Sequence, residues 1–112
     1  MIVQNKKPKA GEKYFEDTLK NMINHLALHS PYQLIQMERI KQDVKWGEQN
    51  HDDFKWLAIL GEEFGEVSKA VCEQLQSKFH PLALRENLEI ELVQIAAVCI
   101  QWIECLRRRD KQ

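Results

Sequence analysis

Turn-forming residues are scarce in this chain. Four glycines and three prolines punctuate 112 residues, and the stretches between them repeat apolar residues every three or four positions instead of every second one. That pattern excludes a fold built of short alternating strands. Cysteine is scarce and odd in number: Cys72, Cys99 and Cys105 form no C-x-x-C pair. This argues against a disulfide framework and a zinc knuckle and leaves them as small buried hydrophobes. An excess of one charge is also lacking, because sixteen Lys+Arg meet seventeen Asp+Glu for a net charge of -1. No basic field invites nucleic acid. The longest apolar run, Ile95 to Ile100, is far short of the roughly 20 residues that cross a bilayer. The opening MIVQNKKPKAGEK has no apolar signal segment. No membrane partner and a cytoplasmic location are expected.

What is present is helix. With 44% hydrophobic and 29% charged residues the composition is that of a globular protein, and the length suits one domain spanning residues 1–112. A first helix is predicted from about Glu12 to Leu28 on Phe15, Leu19, Met22, Ile23 and Leu26, stopping before Ser30-Pro31. A second, about Tyr32 to Trp46, carries Leu34, Met37, Ile40 and Val44 and ends at Gly47. Asp52 or Asp53 caps a third, about Phe54 to Phe79, whose stripe is Leu57, Leu60, Phe64, Val67, Val71 and Leu75. Past His80-Pro81, a fourth runs from about Leu82 to Arg108 on Leu88, Leu92, Ile95, Cys99, Trp102 and Leu106, with a second band at Val93, Ala97 and Ile100. Long amphipathic helices joined by short turns pack antiparallel, so the expected fold is an all-α, four-helix up-down bundle. The second band on the fourth helix needs cover that one small chain does not supply, which predicts a homo-oligomer formed through the long helices. Gly61 and Gly65 would let another helix come close.

Several acids fit poorly on a solvated face. At about 100° per residue, Glu63 and Glu66 share a line with Ile59 and Ala70 at the edge of the third helix's core face. Glu91, with Gln94 one turn on, holds the same position on the fourth. Inward carboxylates from facing helices are costly unless paired or bound to a cation, and bundles build metal sites in this way. All-oxygen ligands favour Mg²⁺ or Mn²⁺ over zinc. The plain alternative is ion pairing with Lys69, Arg85 or Lys55.

The run Gly61-Glu62-Glu63-Phe64-Gly65-Glu66-Val67, followed by Glu91-Leu92-Val93-Gln94, resembles the E-E-x-x-E … E-x-x-D signature of the MazG-like all-α nucleoside triphosphate pyrophosphohydrolases. Upstream, Glu38-Arg39-x-x-Gln42, Lys45-Trp46-Gly47-x-Gln49-x-His51 and Trp56-Leu57 look like the leading segment of a MazG-like subgroup. The resemblance covers residues 38–106 as a MazG-like core and leaves residues 1–30 as an N-terminal extension. It implies a four-helix fold that dimerises or tetramerises and binds Mg²⁺ through the acidic motif. It also implies hydrolysis of a nucleoside triphosphate between the α and β phosphates, to a monophosphate and pyrophosphate, as in clearing unwanted nucleotides. Carried over by position, Glu63, Glu66 and Glu91 are metal ligands, and Glu62 is a further ligand or the group that orients the attacking water. Gln94 stands where the family usually has Asp. Its amide carbonyl still ligates Mg²⁺, with one negative charge fewer.

A nucleotide site also needs a platform for the base and cations for the phosphates. Trp46 and Trp56 are the candidate platforms, His51 and Asn87 the candidate polar readers, and Lys45, Lys55 and Arg85 the candidate phosphate neighbours. His25 and His29 are spaced i, i+4 but lack a third ligand nearby. The basic tails, Lys6 to Lys13 and Arg107 to Lys111, read as solvated charge. The alternative from a different class is a noncatalytic helical module that binds a nucleotide or a protein, with Gln94 marking a degenerate metal site.

Overall fold

The computed structural model describes residue 21 and residues 27–75 and 81–111. Among these the fold is all-α, with three helices in the order α1 (Pro31–Trp46), α2 (Asp53–Glu73) and α3 (Pro81–Arg109). None is long and apolar enough to cross a membrane. Of the predicted first helix only residues 21, 27 and 28 are described, each helical, and His25 and the lysines at 6, 7, 9 and 13 lie outside the described residues.

Each helix begins and ends for local reasons. Ser30 and Gln33 form a capping box at α1, where Ser30 Oγ accepts from the Gln33 N–H at 3.2 Å and Gln33 Oε1 accepts from the Ser30 N–H at 2.8 Å. Pro31 fills the first turn, where its missing N–H costs nothing. Gly47 ends α1 with a φ of 71°, the left-handed region that glycine enters without strain. Asp52 caps α2, its Oδ1 accepting from the Lys55 N–H at 2.8 Å. The last turn of α3 carries Arg107, Arg108 and Arg109, cations at the negative end of the helix dipole.

Helix α3 is the spine, and α1 and α2 each pack against it. The α2–α3 seam is centred on Trp56, Val98 and Cys105, with Ile59, Leu60 and Trp102 around them. Burying an aromatic ring of this kind stabilises by roughly 2–3 kcal/mol. Arg39 fixes α1 to the spine: its Nε donates to Glu104 Oε1 at 2.8 Å, and its other nitrogens reach Gln42 and Asp43 on its own helix. The loop 47–52 is tied down from the end of α3. Arg108 donates to Asn50 Oδ1 at 2.8 Å and to the Gln49 carbonyl at 2.9 Å, and Arg109 donates to the His51 carbonyl and to Asp53.

Two expectations fail. Most of the predicted core stripe of α2 points outward, since Leu57, Phe64, Val71 and Leu75 are exposed, whereas Leu60 packs on the core as expected and Val67 is half-buried. Trp56, Ile59 and Leu60 pack on α3 and Ala70 is buried further along, so the inward line takes in the predicted edge of the core. On α3 the buried line is Ala97, Val98, Gln101 and Cys105, while Leu92, Cys99 and Leu106 are exposed. Stripe arithmetic assumes that a helix buries its most apolar face within its own chain. Here α3 takes small residues and Trp56 into a close seam and leaves the bulkier aliphatics outside. For the same reason Cys72 and Cys99 are exposed, and only Cys105 is the buried hydrophobe expected of all three. Added Cβ atoms at Gly61 and Gly65 would meet nothing within 4 Å, so among the described residues no helix approaches them closely.

Candidate functional site

The α2–α3 seam changes character midway. Beyond Trp56 and Leu60, α2 presents Glu63, and α3 answers with Gln94, Glu91 and, one turn earlier, Asn87, all half-buried. Glu66 is exposed one turn past Glu63. Burial pushes the Glu63 carboxyl above the ordinary carboxylate range, and the charges of Glu91, Glu66, Glu38 and Glu62 push it further the same way. Burial also raises Glu91, aided by Glu66 and Glu73 and opposed by Lys69. Glu91 Oε2 is buried without a hydrogen-bond partner. A carboxylate oxygen in that condition is out of balance with its surroundings and suits a cation.

Helix α1 supplies the facing wall. A cleft of 320 Å³ is lined by Glu38, Lys41, Gln42, Lys45 and Trp46 from α1, by Glu63 from α2 and by Gln94 from α3. Positions 38, 41, 42 and 45 share one side of α1 at i, i+3, i+4 and i+7, so one helical face carries both lysines toward the acids. Lys45 Nζ lies 4.9 Å from the centre of the exposed Trp46 ring.

The structure thus brings together Glu63, Gln94, Lys45 and Trp46, with Glu91, Glu66 and Glu62 in electrostatic reach of Glu63. Asn87 lies on the same line of α3 as Glu91. Other expected residues stand apart. Trp56 is wholly buried in the apolar half of the seam and offers no face to a base. His51 packs its ring edge-on against Trp56 at 5.0 Å, and its Nε2 lies 3.1 Å from Gln49 Oε1. It lines a different cavity of 450 Å³ beside the start of α2, whose arginines are engaged with the loop and with Asp53. Arg85 is exposed on the first turns of α3, away from the cleft lining. Glu38 and Lys41 are missed by motif reasoning as site residues. Their spacing puts them on the Lys45 face of α1, but only the packing of α1 across α3 brings that face to the acids.

The donors present fit a hard divalent cation. Glu63, Glu66 and Glu91 supply carboxylates and Gln94 an amide carbonyl, with no sulfur or imidazole among them. Among the described residues, no three His, Cys, Asp or Glu side chains are drawn into a ready-made ligand shell. No family model, no curated protein and no solved structure matches the chain.

Proposed function

We propose that this chain is a Mg²⁺-dependent nucleoside triphosphate pyrophosphohydrolase of the MazG-like kind, converting an NTP or dNTP and water to the monophosphate and pyrophosphate in cytoplasmic house-cleaning of the nucleotide pool. The observation that supports it above all is the meeting of Glu63 with Glu91 on a facing helix at the mouth of a cleft that carries Lys41, Lys45 and Trp46. Phosphoryl transfer asks of a protein mainly placement and charge, and these groups supply both. Mg²⁺, with Mn²⁺ as a substitute, held by Glu63, Glu66, Glu91 and the Gln94 carbonyl, would neutralise triphosphate oxygens and make the α-phosphorus more electrophilic. Lys41 and Lys45 face the charge of the terminal phosphates. Glu62, exposed beside Glu63, orients the attacking water and takes its proton. The bond from the α-phosphorus to the bridging oxygen breaks, and pyrophosphate leaves with the electron pair.

The outward apolar stripes of α2 and α3 support a homodimer or homotetramer in which each long helix gains a partner and the four-helix bundle is completed. Light scattering on the purified chain is expected to give a dimer or tetramer, and a monomer would overturn this part.

The main test is pyrophosphate release from a panel of canonical and modified nucleoside triphosphates, with Mg²⁺ or EDTA, on wild type and Glu63→Ala. Metal-dependent release that vanishes in a folded mutant supports the reading. Release that survives in Glu63→Ala overturns the role of this residue, and silence across the panel overturns the activity. A second reading, a noncatalytic nucleotide- or protein-binding module, is favoured by Gln94, whose amide removes a charge from the acidic cluster. Gln94→Asp separates the two, since a latent enzyme gains rate and a binding module stays silent.

A further inference from the structure

The cleft does not end at the acids. A second pocket of 410 Å³ continues between α1 and α3, walled by Leu34 and Met37 on one side and Ile90 and Val93 on the other. Its polar lining consists of Glu38, Lys41 and Gln94, and each of these also lines the acidic cleft. The apolar compartment therefore has no polar group of its own, and Gln94 stands at the junction on the α3 side.

We infer that this compartment is the seat of the nucleobase and that Gln94 reads the base's edge, an inference that rests on the nucleotide-hydrolysing reading of the acidic cleft. A ligand lying across both compartments must be strongly anionic at the Lys41–Lys45 end and flat or apolar at the Leu34–Val93 end, with its polar atoms confined to the boundary. A nucleoside triphosphate has that distribution of charge, whereas inorganic tripolyphosphate has only the first half of it. The exposed Trp46 is a poorer seat for the base, because Lys45 already lies over its ring and its surroundings in the cleft are charged. With its carbonyl turned to the metal, Gln94 still offers the two N–H groups of its amide to an acceptor on the base's edge. An Asp at this position would place a formal charge at the mouth of an apolar pocket, where it is costly. The apolar walls make no hydrogen bonds and discriminate weakly among bases of similar size, so a spread in KM across nucleoside triphosphates beyond about a hundredfold would be the work of Gln94.

The test fills the compartment while leaving the acids untouched. Met37 is partly exposed at the wall, so Met37→Trp adds bulk there without entering the core. Val93→Phe is the second variant should Met37→Trp lose its helical circular dichroism. KM is measured for a nucleoside triphosphate, and Kd by calorimetry for inorganic tripolyphosphate with Mg²⁺. The expected result is a rise of about tenfold or more in KM with the tripolyphosphate Kd unchanged. An unchanged KM, with Trp46→Ala raising it instead, would place the base on Trp46 and overturn the inference, as would equal weakening for both ligands. Wild type that binds nucleoside triphosphate without hydrolysing it sinks the hydrolase reading alone, and the base seat is then decided by the Kd of the same variants. Wild type that binds none sinks both.

Discussion

The two halves of the α2–α3 seam share one helical register and do opposite things. In the half nearer the start of α2, Trp56 meets Val98 and Cys105 and is sealed by Leu60 and Trp102. In the other half, Glu63 meets Glu91 and Gln94, and like charges face each other in partial burial. The first arrangement lowers the free energy of the folded chain, and the second raises it. A helix pair held firmly at one end can therefore hold unfavourable carboxylates in place at the other, which is how a small all-α protein keeps a charged site rigid.

The largest effect expected from breaking this comparison is at Trp56. Trp56→Ala removes the largest buried side chain of the seam and should lower stability by about 3–5 kcal/mol, read as a fall in the urea midpoint. The carboxylate half should respond in the opposite sense. Glu63→Gln removes a charge that burial and four neighbouring acids disfavour, so its melting temperature should equal or exceed that of wild type. Its pyrophosphate release should drop by about a hundredfold or more. A mutant that loses activity because it unfolds would place Glu63 with Trp56 as a structural residue.

The same contrast can be read by pH. Glu63 and Glu91 have folded-state values above the 4.5 of a free carboxyl, so above that pH the native state holds more protons than the unfolded state. Their contribution is most favourable below about pH 4.5 and is lost as pH rises through the raised values. Wild type should lose stability across that window toward neutrality, and the double variant Glu63→Gln/Glu91→Gln should show a flatter profile. Mg²⁺ at neutral pH should raise the melting temperature of wild type and leave the double variant unmoved, because a ligand that binds only the native state stabilises it. Parallel profiles for the two proteins would mean that folding does not bury and raise these carboxyls.

Much of this was legible in the residues. Asp52 and Gly47 mark helix ends by their own chemistry, and the observed helices begin within a residue of Tyr32, Phe54 and Leu82, while α1 and α3 end within a residue of Trp46 and Arg108 and α2 ends at Glu73, short of the expected Phe79. The half-buried places of Glu63 and Glu91 were legible as well, because Glu63 shares a line with Ile59, which packs on the core, but Glu66 on that line is exposed. What stayed hidden was which apolar line each long helix turns inward. A periodicity records how apolar a face is, and it carries no information about whether the cover comes from the same chain or another. Trp56, read as a platform, lies in the core for this reason, and Leu57 and Phe64, read as core, lie outside. Glu38 and Lys41 were hidden for a different reason. They enter the site only because α1 packs across α3, a tertiary fact that no local spacing encodes.

The smallest effect tests whether the two halves are independent. Arg108 ties the loop 47–52 to α3 through Asn50 and the Gln49 carbonyl, at the apolar end of the seam. That loop also begins directly after Lys45 and Trp46, which line the acidic cleft. Arg108→Ala removes two charge-assisted hydrogen bonds from a partly exposed position and should lower stability by about 1–2 kcal/mol. If the apolar half only holds the fold, kcat and KM measured well below the melting temperature should stay at wild-type values. A rise in KM with kcat retained would instead mean that the loop carries strain from the end of α3 to Lys45 and Trp46, so that the stable half of the seam also sets the position of the phosphate-facing residues.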